Sequence, residues 1–234
     1  MKRLFISLAI LAGISLSSCN DSFLEKTPVT DLTENNAFNS YDNFKAFMWP
    51  CYEMFTNNTI RTSLQGFGQD GQYKGDMAAG YFQQKYESGY NEFAYQTVAS
   101  VASGNGWDFK SFIRRVNIML SHIDNSSMTE AQKDHWRAVG YFFHSFWYME
   151  LIDRFGDVPW VDQVLQEDSP EAYGPRVDRK TVADKVLERL QWAEQNIGNF
   201  TSQDGDNTIN QDCVRAVISR FGLREGTWRK YHEL

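Results

Sequence analysis

The stretch from Thr129 to Gly156, TEAQKDHWRAVGYFFHSFWYMELIDRFG, constrains this chain more than any other. Thr129 followed by Gln132 has the spacing of a capping box, in which hydroxyl and amide exchange bonds with the backbone of a first helical turn. Trp136, Val139, Gly140, Phe143, Trp147 and Leu151 then recur at helical spacing, and Phe142, Phe146 and Met149 form a second stripe. An ordinary surface helix has one apolar face. A helix apolar on most sides is predicted to be central. Gly156 suits a left-handed position after the last turn, and Pro159 blocks continuation.

Weaker periodicities flank it. Ser40 is a plausible N-cap for Phe44, Phe47, Met48, Cys51, Tyr52 and Phe55, with Pro50 expected to kink or divide that helix. Phe112, Ile113, Val116, Met119, Leu120 and Ile123 predict a helix over Phe109–Ile123. Another follows Asp178, with Val182, Val186, Leu190, Ala193 and Ile197 aligned and Gly198 at its end. A last one starts near Asn210 and carries Val214, Val217, Ile218 and Phe221 on one face. Residues 57–106 are rich in Asn, Gly, Gln, Ser and Tyr without sustained period, and read as loop with short elements. The expected fold is mostly α, with tetratricopeptide-like helical hairpins and long irregular loops. The two clearest pairs start about 71 residues apart, near Phe109 and Lys180, so no strict 34-residue repeat is visible.

The N-terminus reads as an address. Lys2 and Arg3 precede an apolar run over Leu4–Leu16, which is too short to span a bilayer but fits a secretory signal. Leu16-Ser17-Ser18-Cys19 resembles a bacterial lipobox, which implies cleavage after residue 18 and acylation of Cys19. Each buried methylene of such an anchor contributes about 0.8 kcal/mol. Residues 19–40 are polar and read as a tether, leaving 41–234 as the folded domain. Removing residues 1–18 takes Lys2 and Arg3 and no acid, so the chain shortens from 234 to 216 residues and its charge moves from −7 to −9. That balance argues against nucleic acid, which selects clustered Lys and Arg. Cys51 and Cys213 could pair after export but make no disulfide framework, and they read first as free buried thiols.

Little in the chain asks for catalysis. Gly66-Phe-Gly68-Gln-Asp-Gly71 matches the letters of a dinucleotide fingerprint but lacks the flanking strand and helix that such a loop needs. His122, His135, His144 and His232 show no paired metal spacing, and read as helix-surface or hydrogen-bonded residues. Acid pairs such as Glu167-Asp168 do not define a glycosidase, which needs two carboxylates facing each other across a sugar. Asp153, Arg154 and Asp157 fit a role in neutralising the helix end. No cofactor, metal or catalytic group is assigned.

The segment RAVGYFFHSFWYMELIDRFGDVPWVD resembles the RagB/SusD family of surface nutrient-uptake lipoproteins, in which an aromatic helix runs into an Arg-Phe-Gly-Asp-Val-Pro turn, here Arg154 to Pro159. CNDSFLEKTP after the lipobox, FIRRVNIML behind Trp107, and INQDCVRAVISRFGLREGTWRKYH agree in order. The resemblance implies a helical scaffold anchored through lipid to the outer membrane and facing the exterior. It would bind oligosaccharide or another nutrient and work with a TonB-dependent, SusC-like transporter. Family members continue beyond Leu234, so the chain is expected to be an N-terminal portion.

Gly156, Pro159, Trp107 and Trp136 read as framework. Glycan contacts need aromatic faces for sugar C–H surfaces and amide, acid or Arg groups for hydroxyls. Arg61, Asp70, Tyr73, Tyr81, Tyr86, Tyr90 and Asn91 supply these types in the irregular region, and Trp160 beyond the turn adds another ring. The aromatic content of 15% suits such a surface. A protein-interaction scaffold without its own ligand, and a surface glycoside hydrolase, are the alternatives. The lipobox reading predicts that Cys19→Ala abolishes incorporation of radioactive palmitate in cells; retained label would contradict it.

Overall fold

The computed structural model describes residues 38–55 and 110–232. In chain order these form α1 (Tyr41–Met48), a 3₁₀ helix (Trp49–Phe55), α2 (Lys110–His122), α3 (Glu130–Phe155), a 3₁₀ turn (Pro170–Tyr173), α4 (Arg179–Asn196), the short α5 (Thr201–Asp204) and α6 (Gln211–Tyr231). The described residues are thus mostly α, as expected. They contain no β-strand, only one isolated bridge between Val158 and Val177.

Caps fix the boundaries. The Ser40 hydroxyl accepts from the Asn43 N–H at 3.4 Å, the Asp178 carboxylate from Thr181 at 2.9 Å and the Asn210 side chain from Cys213 at 3.0 Å. Thr129 and Gln132 form the full capping box, at 3.3 and 3.0 Å. Pro50 divides the first helix: α1 ends at Met48 and the chain tightens to 3₁₀. At the end of α3, Gly156 takes the positive φ that favours glycine, 68°, but its ψ of −110° lies outside the left-handed helical well.

α3 is central. Every residue from Phe142 to Met149 is buried, and α3 packs most extensively on α4, then on α2. Gly140 allows the α2 approach, since a Cβ there would stand 2.6 Å from Met119 Cε and 2.9 Å from Leu120 Cδ2. Buried Ser145 donates to the Val186 carbonyl of α4 at 3.5 Å. α6 packs on α4 and touches α3 only sparsely.

One expectation needs correction. Val217 and Ile218 are only half-buried, because α6 leans on α4 through Val214, Phe221 and a buried carboxylate, Glu225. Arg179 holds Glu225 at 2.7 Å and Arg229 holds it at 2.8 Å, so a polar clasp replaces part of the apolar face. α4 ends at Asn196 with Ile197 as its cap, so Gly198 stands just past its end, as expected, without taking a positive φ. Its missing side chain also admits the Phe200 ring, which a Cβ would approach to 2.6 Å.

Asp153 and Asp157 do more than neutralise a helix end. Asp153 pairs with Arg224 of α6, and Asp157 accepts the Arg179 N–H at the start of α4 at 2.9 Å. Of the histidines, His135 and His144 are buried and hydrogen-bonded, while His122 stacks on Phe38 at 4.4 Å. Cys51 is buried and Cys213 half-buried, and neither forms a disulfide. Burial pushes the Cys51 thiol pKa up to about 12.

Phe143 is fully buried at the centre of α3. Phe143→Ala should therefore lose about 3–5 kcal/mol in urea unfolding, against about 1 kcal/mol for Thr129→Ala at the cap. Equal losses would contradict the central placement of α3.

Candidate functional site

Trp160 is the predicted ligand residue that falls among the described residues. Cys19, Arg61, Asp70, Tyr73, Tyr81, Tyr86, Tyr90 and Asn91 lie outside them, as does Trp107. The framework places Trp160 through buried polar groups. Val158 and Val177 exchange backbone bonds at 3.1 and 2.9 Å, closing the loop after α3. The Tyr148 hydroxyl donates to the Pro159 carbonyl at 3.0 Å and accepts from the Val161 N–H at 2.7 Å. Asn117 of α2 donates to the Val161 and Gln163 carbonyls at 3.1 and 3.0 Å. His144 Nε2 lies 2.9 Å from the Val161 carbonyl, which only accepts, so that nitrogen carries the proton. Burial, and then the charge of Arg189, push the His144 pKa down to about 3, so the ring is neutral.

Around Trp160 rings and cations alternate. Its indole rests on Tyr148 at 4.5 Å and meets His144 at 5.0 Å, and its Nε1–H donates to Asp162 at 2.9 Å. The Arg189 guanidinium lies 4.9 Å from both the Trp160 and Tyr141 ring centres. Lys185 Nζ lies 5.3 Å from Trp160. Farther along, Tyr141 meets Trp192 edge-on at 5.2 Å, and Arg137 lies 5.8 Å from Trp192. The strip runs Arg137, Trp192, Tyr141, Arg189, Trp160, Lys185 across α3, α4 and the loop between them, each half-buried.

Such a strip offers ring surface to C–H faces, and guanidinium, ammonium and carboxylate groups to hydroxyls. Among the described residues no three His, Cys, Asp or Glu side chains gather as metal ligands. The apolar period that marks the helices passes over this charged and aromatic face. A signal for it was nevertheless present: Lys185, Arg189 and Trp192 fall at i, i+4 and i+7, and Arg137, Tyr141, His144 and Tyr148 share one face of α3.

A cavity of about 500 Å³ lies between α3 and α6, walled by Phe55, Phe142, Phe146, Met149 and Val217. Glu150 lines it, and burial with neighbouring Asp153 pushes its carboxyl pKa up to about 7.

The family model described as "Starch-binding associating with outer membrane" matches residues 22–223. The chain belongs to this SusD-like family. Its fold is similar to that of a SusD-like protein from Bacteroides fragilis, with a TM-score of 0.61 and 19% identity over 87% of this chain. It is also similar to SusD-like carbohydrate-binding proteins from Bacteroides fragilis (TM-score 0.60) and Bacteroides vulgatus (TM-score 0.58), each 17% identical over 82% of this chain. This SusD-like chain spans 39%, 39% and 43% of those three chains, respectively. A comparison with curated proteins returned no match. No helix among the described residues is long and apolar enough to cross a membrane.

The neutral, buried His144 behind Trp160 gives a pH signature. An unfolded histidine takes up a proton near pH 6.5, while His144 in the fold resists protonation down to about 3. Its contribution is whole above pH 6.5 and is lost as pH falls, by up to about 1.4 kcal/mol per unit. Glu150 has the opposite sign: its contribution is whole at acid pH and is lost as pH rises through about 7. The comparison of wild type with His144→Gln isolates the histidine. Wild type should lose more stability than the variant between pH 6.5 and pH 4.5; parallel curves would contradict the neutral buried ring.

Proposed function

We propose that this chain is a non-catalytic carbohydrate-binding lipoprotein of the outer-membrane surface, anchored through Cys19 and handing its ligand to a TonB-dependent transporter. The observation that carries the reading is the family match over residues 22–223. The alternating strip around Trp160 supports it, because half-exposed rings beside hydroxyl-seeking groups are what an oligosaccharide requires. The tyrosines of residues 61–106, with Arg61, Asp70 and Asn91, extend the proposed ligand surface. A fixed anchor then has a physical purpose, since it keeps captured sugar beside the pore.

A protein-interaction scaffold is the second reading. It is favoured by the engagement of the strip's own cations, since Arg137 pairs with Asp124 at 2.6 Å and Arg189 with Asp162 at 3.5 Å. Titration calorimetry of the chain from residue 19 onward, against starch-derived and other neutral oligosaccharides, separates the two. Binding without product release is expected, with about tenfold weaker affinity in Trp160→Ala at unchanged circular dichroism, the scale of one lost stacking contact. Silence toward every glycan with intact transporter binding would favour the scaffold. Turnover abolished by one Asp or Glu substitution would make the protein a hydrolase.

A further inference from the structure

We propose that a polar cavity beside α5, distant in sequence from Trp160, is a second recognition site shaped for one ring of a neutral, hydroxyl-rich ligand. This rests on the carbohydrate-binding reading and assigns it a location that the family match does not supply. The cavity holds about 310 Å³ between the start of α3, the 197–204 turn and the start of α6, at the small end of ligand pockets and suited to a single sugar ring.

Its lining is graded from floor to rim. His135 and Ile209 are buried, the Asp204 side chain is 5% exposed, and Asn199, Thr201 and Asn210 are exposed. Phe200 supplies an aromatic wall. Its ring is held by His135 at 4.7 Å and Tyr41 at 5.1 Å, in the space that Gly198 leaves free. One ring face among amide and hydroxyl groups is the combination that binds a sugar's C–H side and its hydroxyls together.

The floor decides which ligands are admitted. Asp204 Oδ2 accepts from the Tyr41 hydroxyl at 2.5 Å, and Lys45 Nζ stands 3.4 Å from Oδ1. Oδ1 is buried and, beside this ion pair, accepts no hydrogen bond, so it keeps lone-pair capacity that a ligand hydroxyl or a bridging water can use. His135 Nδ1 is 3.1 Å from the Gly198 carbonyl and must donate to it. Nε2 lies 3.6 Å from Asp204 Oδ2; burial lowers the ring's pKa, and the Asp204 charge works against that shift. The floor therefore presents the Asp204 carboxylate, its charge offset by Lys45. Carboxylate oxygens only accept, so they favour donors, which hydroxyls supply at no charge, over anions. An ammonium group also donates, so the test separates the two.

The experiment follows backbone amide shifts of residues 198–212 in the chain from residue 19 onward. The probes are glucose, galactose, N-acetylglucosamine, methylammonium chloride and sodium acetate. At least one neutral sugar should give saturable shifts in this segment, and acetate none. Thr201→Trp, which fills the rim, and Phe200→Leu, which removes the ring face, should each weaken binding at least about fivefold; Tyr231→Ala, at an exposed ring outside both sites, should leave it unchanged. Shifts with methylammonium alone, or sugar shifts that neither variant moves, overturn the site. Oligosaccharide binding that depends on Trp160 with no response in 198–212 overturns this inference and leaves the carbohydrate reading standing. Silence toward every carbohydrate overturns both.

Discussion

The structure depends on the burial of α3. A 26-residue helix with apolar side chains on most sides is costly to leave in water, so other elements must surround it. α2 approaches at Gly140, α4 approaches at Ser145, and the N-terminal 3₁₀ segment brings the Tyr52 and Phe55 rings against Phe143, at 5.1 and 6.2 Å. Small residues set how closely a neighbour packs, and large ones fill the space between them. The hairpin order of the described helices follows from covering this one cylinder.

Polar exceptions within the buried helix connect packing to the surface. His144 and Tyr148 are buried in α3 and would be costly there without partners. They find them in the backbone of residues 159–161, which is thereby pinned against α3 and carries Trp160 with it. The same principle acts where α6 meets the start of α4. Buried Glu225 is matched by Arg179 and Arg229, which clasp α6 to α4, and the Arg179 guanidinium also covers Trp228 at 4.3 Å. Breaking one member of either set would strand a buried polar group, so both are stiff supports for what lies outside them.

Much of this was legible locally. Ser40, Thr129 with Gln132, Asp178 and Asn210 each announce a helix start, because a cap depends on residues three positions apart. Pro50 and Gly156 mark ends for reasons confined to their own backbone. What could not be read depends on distant partners. Nothing near Glu225 in sequence says that Arg179 will neutralise it, so α6 looked more apolar-faced than it is. Gly198 stood out as a helix end, but the Phe200 ring that uses its missing side chain did not. The strip around Trp160 needs two helices and a returning loop, and only its single tryptophan stood out. The family itself was recognisable because the aromatic helix with its Arg154-Phe-Gly-Asp-Val-Pro159 turn and three further segments agree in order behind a lipobox, each of them continuous in sequence.

Native-state hydrogen exchange tests the central claim most directly. If α3 is the shared core on which the surface features are mounted, amides of residues 142–152 should be the slowest in the domain and should open only with global unfolding. Those of α6 should exchange earlier, through a smaller opening that leaves α3 and the pinned 159–163 segment protected. Exchange of the α3 centre as fast as α6, or release of 159–163 while α3 stays closed, would contradict the account.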